Sequence, residues 1–344
     1  MPKRKRLGLD IGTRFIKAVE LTEDETGLSI SGFGVEEVTD PAQKAAALQS
    51  LLGRTRLSGS LTVSNVSGRN VIVRHTPITA ANEQDLPGVV KVELGKYIPF
   101  EIDEVEHDFS RMEDAGDAPE AGKPREFRIA LVAAKKAHVQ EHIQILKGAH
   151  LKPSVVDVDV FALGNAYETA AAVDPKSYDM NQIVALVDIG ASKTDISILR
   201  GGTLFFTREF YIGGDDITDA IAKKLEIDPK QAESVKRSPG DQADRVREAA
   251  TSVFDDLCHE INLSIDFFEN QHDKKVEAFY LSGGGSQISG LAEAVERTFD
   301  KSPTQWNPAG AFPVAPGSPV NVEDLKKAGP MLAVALGLAA RIRN

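Results

Sequence analysis

Hydrophobic and polar positions change period several times along this chain, and each change marks a predicted element. Leu7 and Leu9 open an apolar run, Phe15 to Leu21 alternates, and LSISGFGVEEV follows after an acidic turn, so the pattern predicts three strands in a meander. Asp40 before Pro41 signals a helix start, with the helix running through Ala45 to Leu52 and Gly53 ending it. SLTVSNV and NVIVRHTPI read as two further strands. Glu83 to Tyr97 has helical spacing, but Pro87 and Gly88 inside it predict a kink or a split. Val105 to Asp108 and Phe127 to Ala134 read as strands flanking EDAGDAPEAGKPRE, an expected exposed and mobile loop.

Val139, Ile143 and Leu146 then form the core stripe of a helix that Gly148 closes, LKPSVVDVDV reads as a strand, and Phe161 to Ala172 as a helix. After a polar run from Asp174 to Asn181 the opening pattern returns. Ile183 to Asp188 is a strand, Gly190 to Lys193 a turn, Asp195 to Arg200 a strand, Gly201-Gly202 a hairpin and Thr203 to Tyr211 a third strand. The second aspartate follows the first by 178 positions (188 minus 10). Helices are predicted from Gly214 to Leu225, from Asp228-Pro229 to Arg237, and over a long stretch carrying Val253, Leu257, Ile261, Ser264, Ile265 and Phe268 on one face. Ala278 to Leu281 is a strand running into Ser282-Gly283-Gly284-Gly285. A helix over Leu291 to Phe299, a proline-rich loop from Pro303 to Pro319 with Trp306, and a buried helix after Gly329-Pro330 complete the chain.

The length of 344 residues favours two domains, and 42% hydrophobic with 26% charged residues fits a folded globular chain. A net charge of -11 argues against broad nucleic-acid binding and leaves room only for a local basic patch. Cys258 is the single cysteine, which excludes an internal disulfide and a thiolate metal cage and favours a reducing compartment; on the long helix it reads as a small buried hydrophobe. MPKRKR is followed by no apolar signal core, and Met331 to Ala340 is too short to span a bilayer, so a cytoplasmic location with only peripheral membrane contact is expected. Lys3 to Arg6 reads as a solvated, disordered end, with attraction to anionic lipid as the lesser alternative. His138, Glu141 and His142 spell H-x-x-E-H, a zinc-peptidase pattern. The core stripe puts both histidines on a solvent flank with no credible third ligand, so the structural reading prevails.

Three strand-to-glycine turns, at Asp10, Asp188 and Ser282, share one chemical explanation. Turn amides that point the same way bind anions, and glycine lets a phosphate approach the backbone. Carboxylates at such turns make sense if Asp10 and Asp188 hold Mg²⁺ through its retained waters. Neither G-x-x-x-x-G-K-[ST] nor G-x-G-x-x-G occurs in the chain.

In order, DIGT, VDVDVFAL, DIGASKT, GGDDIT and SGGG resemble the actin and heat-shock-chaperone ATPase superfamily. LGLDIGTRFIKAVEL, YIPFEIDEV, LVAAKK, LKPSVVDVDVFAL, ALVDIGASKTDISIL, FTREFYIGGDDIT, YLSGGGSQISGL and LAVALGLAARI resemble the PilM family of actin-like type IV pilus assembly proteins over nearly the whole chain. The resemblance implies an α/β, actin-like (ribonuclease H-like) duplicated two-lobed fold with an FtsA-type inserted small α/β subdomain. It implies a first lobe over 1–79 and 153–180, the insert over 80–152, a second lobe over 181–221 and 273–344, and a mostly helical subdomain over 222–272. ATP (or ADP) and Mg²⁺ are the implied cofactors. Asp10, Gly12, Thr13 and Lys17 match the first phosphate motif; Asp188, Gly190, Ala191, Ser192 and Lys193 match the second. Gly214, Glu233 and Lys236 match ribose and adenine contacts, and Gly283, Gly284 and Gly285 the adenosine motif. Asp159 matches a carboxylate that positions attacking water, and from its own surroundings it reads equally as a cap on the following helix.

The implied partner is the cytoplasmic N-terminal tail of PilN, in a groove beside the insert, with other type IV pilus inner-membrane and motor proteins nearby, self-association open, and no nucleic acid. The implied place is the cytoplasmic face of the inner membrane, with ATP turnover slow or negligible. Two competing readings are a small-molecule kinase, for which Asp159 would have to be the base, and an FtsA-like cell-division protein. The second should carry an amphipathic C-terminal helix after a linker, whereas Arg341 to Asn344 follow the last apolar helix directly.

Overall fold

The structure, a computed structural model, describes residues 4–58, 61–112 and 125–341. Strands β1 (Arg4–Ile11), β2 (Phe15–Asp24) and β3 (Gly27–Glu37) form the expected meander, and helix α1 (Lys44–Thr55) follows. Asp40 caps the single 3-10 turn before α1, its side chain accepting from the Ala42 amide. Gly53 does not end α1: the helix continues to Thr55 and stops at Arg56, whose positive φ takes the left-handed cap. Arg4 to Arg6 are no loose tail but the start of β1. Two of the three charges are matched across the ladder, Lys5 Nζ lying 2.8 Å from Glu20 and Arg6 pairing with Glu23.

Strands β4 (Leu61–Val66) and β5 (Val71–Ala80) lead into helix α2 (Leu86–Glu93). The predicted helix over Glu83 to Tyr97 is split into a 3-10 turn, α2 with Pro87 in its first turn, and a second 3-10 turn. Pro87 costs nothing there because first-turn amides have no intrahelical acceptor. Strands β6 (Val105–Arg111) and β7 (Arg125–Lys135) precede helix α3 (Lys136–Gly148), and residues 113–124 of the loop predicted to be mobile lie outside the described residues. Because β5 pairs along its whole length with β7, we place the start of the inserted unit near Val71 rather than at 80. Helix α3 belongs beside the first sheet, Gln49 Nε2 donating to the Gly148 carbonyl at 2.6 Å.

Strand β8 (Val155–Val158) is shorter than predicted, since helix α4 (Asp159–Val173) starts at Asp159. Strands β9 (Ile183–Ile189), β10 (Thr194–Arg200) and β11 (Thr203–Phe210) repeat the meander. Helices α5 (Gly214–Leu225), α6 (Pro229–Arg237) and α7 (Ala243–His272) follow, with Cys258 buried on α7. Then come β12 (Ala278–Ser282), α8 (Leu291–Phe299), a two-residue β13 (Thr304–Gln305), α9 (Val322–Ala328) and α10 (Ala333–Ala340). Trp306 in the proline-rich segment is buried against Tyr167 and Tyr280, its indole N–H reaching the Tyr178 hydroxyl at 3.2 Å.

The strands form two matching sheets, ordered β3-β2-β1-β4-β8 and β11-β10-β9-β12-β13, and a small sheet β5-β7-β6. In each large sheet the first strand of the meander also pairs in parallel with a later strand. Helices α4 and α10 lie between the large sheets; all eight residues of α10 are buried, partly against Val19 and Leu21 and partly against Leu163 and Val184. The fold is the two-lobed actin-like one, and the ends of β1 and β9 carry their turns into one cleft between the lobes. Among the described residues no helix is long and apolar enough to cross a membrane.

Candidate functional site

The two aspartate turns are built alike. The Gly12 amide donates to the Phe15 carbonyl at 3.1 Å, and the Gly190 amide to the Lys193 carbonyl at 2.9 Å. A Cβ on Gly12 would meet that carbonyl at 2.9 Å and Lys17 Nζ at 3.1 Å, so only glycine leaves this cradle open. The turns face one another closely enough for Thr13 Oγ1 and Ser192 Oγ to lie 2.9 Å apart. The second turn is also fixed from its own lobe, where the first two amides of α5, Gly214 and Asp215, donate to the carbonyls of Gly190 and Ala191 at 2.9 and 2.7 Å. Gly283 supports it from beneath. Its φ is +82°, and a Cβ there would come within 2.3 Å of the Ile189 carbonyl. Gly284 and Gly285 continue that wall of the cleft, and all three glycines line it together with Asp10 and Asp188.

The lysines differ in what they hold. Lys17 Nζ lies 2.8 Å from Asp10 Oδ2. Burial alone would lower its pKa, but Asp10 outweighs that and the ammonium sits above its ordinary value. Lys193 is turned into a cage of three carboxylates, Asp159, Asp195 and Glu209, each at 2.7 Å. With one cation among three anions, the buried Asp195 carboxyl is pushed well above the carboxylate range by burial and by Asp159 and Glu209. Among the described residues Asp188 has no cation in contact and accepts from the Ser282 hydroxyl at 2.7 Å. Burial, helped by Asp10 and Asp159, raises it to about 6.

Asp159 does not cap α4. It is the helix's first residue, the cap residue is Val158, and the carboxylate instead binds Lys193 and the Asn65 amide. These partners outweigh burial and hold Asp159 below the usual carboxylate range, which makes it a poor proton acceptor. The Asn65 side-chain Nδ2 is the donor to Asp159, and its Oδ1 oxygen is buried in the cleft wall with no partner among the described residues.

On the far side of the cleft, Glu233 accepts from Lys236 and Thr218, both at 2.6 Å, and these contacts bring it down to about 2 against the opposing effect of burial. Arg14, from the first turn, reaches across to Asp215 at 2.6 Å and Glu233 at 2.8 Å, while Arg237 reaches back to Glu37 at 2.9 Å. The structure therefore brings Asp10, Gly12, Thr13, Lys17, Asp159, Asp188, Gly190, Ala191, Ser192, Lys193, Gly214, Glu233, Lys236 and the three glycines after Ser282 to one cavity of about 830 Å³. Arg14, Asn65 and Glu209 went unselected from the sequence. Arg14 had a signal, standing next to Thr13 in the turn; the other two act through partners far away in the chain. His142 corrects a further expectation: it is buried rather than on a solvent flank, and its Nε2 lies 2.9 Å from the Ser64 hydroxyl. His138 Nε2 lies 3.1 Å from the Ser67 carbonyl, so both ring nitrogens that the zinc pattern would use face β4 and the turn after it.

A second cavity, of about 1320 Å³, lies between β5 and β7 of the small sheet and β11 and α7 of the second lobe. Both β5 and β11 are edge strands, and His75 Nδ1 lies 3.0 Å from the Phe205 carbonyl where they approach. Leu263 and Phe267 stand exposed in it, with Arg74, Arg128, Arg200 and Arg208 around them. Asp159, Asp195 and Glu209, the cage of Lys193, form part of its wall.

Two matching sheets, two crossing helices and facing aspartate turns define a protein of the actin-like class. Within that class the chain belongs to the PilM family: residues 8–343 match the family described as type IV pilus assembly protein PilM. Its structure is similar to that of a PilM-PilN type IV pilus biogenesis complex, at 30% identity and a TM-score of 0.83 over 97% of each chain. MreB 5 of Spiroplasma citri bound to AMPPNP shares the fold at 11% identity, with a TM-score of 0.50 over 97% of this chain and 94% of that one. Cell division protein FtsA of Bacillus subtilis (strain 168) is 30% identical over 110 residues, which span 32% of this chain and only 23% of that protein.

Proposed function

We propose that the protein is a nucleotide-dependent scaffold of type IV pilus assembly. ATP or ADP, with Mg²⁺, occupies the cleft between the aspartate turns, and the cytoplasmic tail of PilN occupies the cavity between β5 and β11 at the inner face of the inner membrane. The observation that carries this reading is the pair of facing turns, with Asp188 at their floor bound to the Ser282 hydroxyl and to no cation among the described residues. The residues fit the cofactor. Gly12 keeps the cradle open, Asp188 is a half-buried carboxylate with no cation in contact among the described residues, and the unpartnered Asn65 oxygen is a ready acceptor for a metal-bound water. Mg²⁺ when bound would neutralise phosphate charge from the waters held by Asp10 and Asp188. The turn amides would hold the phosphates, and Glu233 and Lys236 would meet the ribose and adenine. Turnover is slow on this reading, because the one candidate for orienting water, Asp159, is committed to Lys193 and Asn65.

Support for the partner comes from the PilM-PilN structure, at 30% identity. Two edge strands facing a cavity suit an extended peptide that adds main-chain hydrogen bonds to one of them, with apolar side chains on Leu263 and Phe267. The test is a calorimetric titration of the purified protein with a synthetic PilN tail peptide, with and without ATP and Mg²⁺. Saturable binding is expected, with an affinity that differs between the two conditions, since the cage of Lys193 walls both cavities. Phe267→Asp, an exposed position, should abolish it. No binding in either condition would overturn the assignment of the partner.

A further inference from the structure

The cations of the nucleotide cleft are almost all spoken for. Among the described residues, Lys17, Lys193, Lys236, Arg14 and Arg237 each have a carboxylate oxygen at 2.6–2.8 Å. Two lysines lining the same cavity make no such contact, Lys327 and Lys44. Lys327 is exposed on α9, beside Asp324. Lys44 is partly buried at the start of α1, and the groups whose charges it feels are Glu141 and Asp10, in the lobe-one half of the cleft. Burial lowers its pKa, as expected of an ammonium that has given up water without gaining a partner at contact distance. A long side chain held this way is poised for an anion that arrives from outside.

Resting on the nucleotide reading above, we propose that Lys44 is a terminal-phosphate contact that makes the cleft prefer a nucleoside triphosphate to a diphosphate. Three placements support it. The ribose and adenine candidates, Gly214, Glu233 and Lys236, belong to α5 and α6 of the second lobe, whereas Lys44 belongs to the opposite lobe and to the neighbourhood of Asp10. The lysines inherited from the phosphate motifs are already neutralised, Lys17 by Asp10 and Lys193 by its three carboxylates, so neither offers a net positive charge to a third phosphate. Lys44 lines the cleft, and among the described residues its ammonium makes no hydrogen bond or ion pair at contact distance, which leaves its donors open. A charge-assisted contact to the last phosphate is lost when that phosphate is absent, and the contact therefore discriminates by ligand length.

The experiment is a calorimetric comparison of AMPPNP and ADP, each with Mg²⁺, on the full chain and on Lys44→Ala and Lys44→Arg. For Lys44→Ala the AMPPNP affinity should fall by about tenfold or more while the ADP affinity stays within about twofold, because a charged hydrogen bond of ordinary strength is worth that ratio. Lys44→Arg should keep most of the preference. Retained ADP binding doubles as the control that the variant is folded. An unchanged AMPPNP-to-ADP ratio in Lys44→Ala, or equal losses for both ligands, overturns the role of Lys44 and leaves the nucleotide reading standing. A parent protein that binds neither ligand overturns that reading, and this inference with it.

Discussion

The two halves of the cleft share a backbone and oppose each other in charge. In the first, the ladder sets Lys17 opposite Asp10; in the second, the same register sets Asp195 opposite Asp188. The lysine of the second half comes from the turn instead, two residues before Asp195, and swings to the side of the sheet where Asp159 and Glu209 wait. One aspartate is thus neutralised within its own hairpin and the other is left short of a cation. A duplicated turn conserves geometry through its glycine and its amide-to-carbonyl bond, while one side-chain change at the facing strand position reassigns what the turn can hold. The first half holds its aspartate in an ion pair, and the second leaves its aspartate without a cation in contact among the described residues.

The largest test of that contrast is Lys193→Met. The substitution keeps the volume of the side-chain stem and leaves Asp159, Asp195 and Glu209 facing one another without their ammonium. Removing one member of a buried charge cluster costs about 3–5 kcal/mol, and chemical denaturation should read a loss of that size. If Lys193 were mainly a phosphate ligand, the ligand-free variant would keep nearly all of its stability.

Asp188→Asn and Asp10→Asn should then part company. Asparagine at 188 can still accept from Ser282 and removes a carboxyl that the fold raises to about 6, so stability is expected to hold or rise slightly. Asparagine at 10 leaves the buried Lys17 ammonium without its partner and should destabilise. Both should weaken Mg²⁺-dependent ATP binding by about 10–100-fold, the usual cost of losing a group that orients metal-bound water. The pH dependence carries the sign. Because folding raises Asp188, the native chain holds that proton more tightly than the unfolded one, and its contribution to stability declines as pH climbs from the ordinary carboxylate value to about 6. Magnesium competes with the same proton, so below about pH 6 its affinity should drop about tenfold per unit. Magnesium titrations at stepped pH would show a flat response in Asp188→Asn, and a flat response in the parent would remove Asp188 from the site.

How far the site could be read from sequence follows the same division. Period-two alternation around Asp-Ile-Gly was enough to find both meanders, because a hairpin is set by residues that are neighbours in the chain. The charge reversal was also within reach, since Lys17 and Asp195 each follow their aspartate by seven positions. What the spacing could not supply were partners brought in by tertiary packing. Lys193 was expected to face phosphate, and its cage draws on residues 159 and 209. Asp159 gained its partners from β4 and from the second turn rather than from the helix it begins. His142 was placed on a solvent flank by a stripe of aliphatic residues, but β4 offered Ser64 to its ring and a polar residue could be buried there. Lys3 to Arg6 looked like a tail because the counter-charges of Lys5 and Arg6, Glu20 and Glu23, lie on the next strand; Lys3 itself is outside the described residues. That β5 pairs with β7 of the small sheet was likewise beyond the spacing, since strand partners far apart in the chain are set by tertiary packing.

The smallest expected effect concerns the seam between the halves. Arg14 leaves the first turn and spans the cleft to Asp215 and Glu233, so the first half is tied to the helices that follow the second. Its side chain is 27% exposed and Asp215 39%, which keeps each pair in the range of about 0.2–1 kcal/mol. Arg14→Ala should therefore leave folding nearly unchanged. Kinetics is the better readout, because on the proposed nucleotide reading the Arg14 ion pairs border the cavity that the nucleotide would leave. Stopped-flow release of a fluorescent ATP analogue is expected to quicken by several-fold in Arg14→Ala, in line with the loss of about 1 kcal/mol from the closed arrangement. Added salt should quicken release from the parent and do little to the variant, since screening removes the same interaction. Equal release rates at low salt would mean that the charges around Arg14 are bystanders at a rim the nucleotide does not cross.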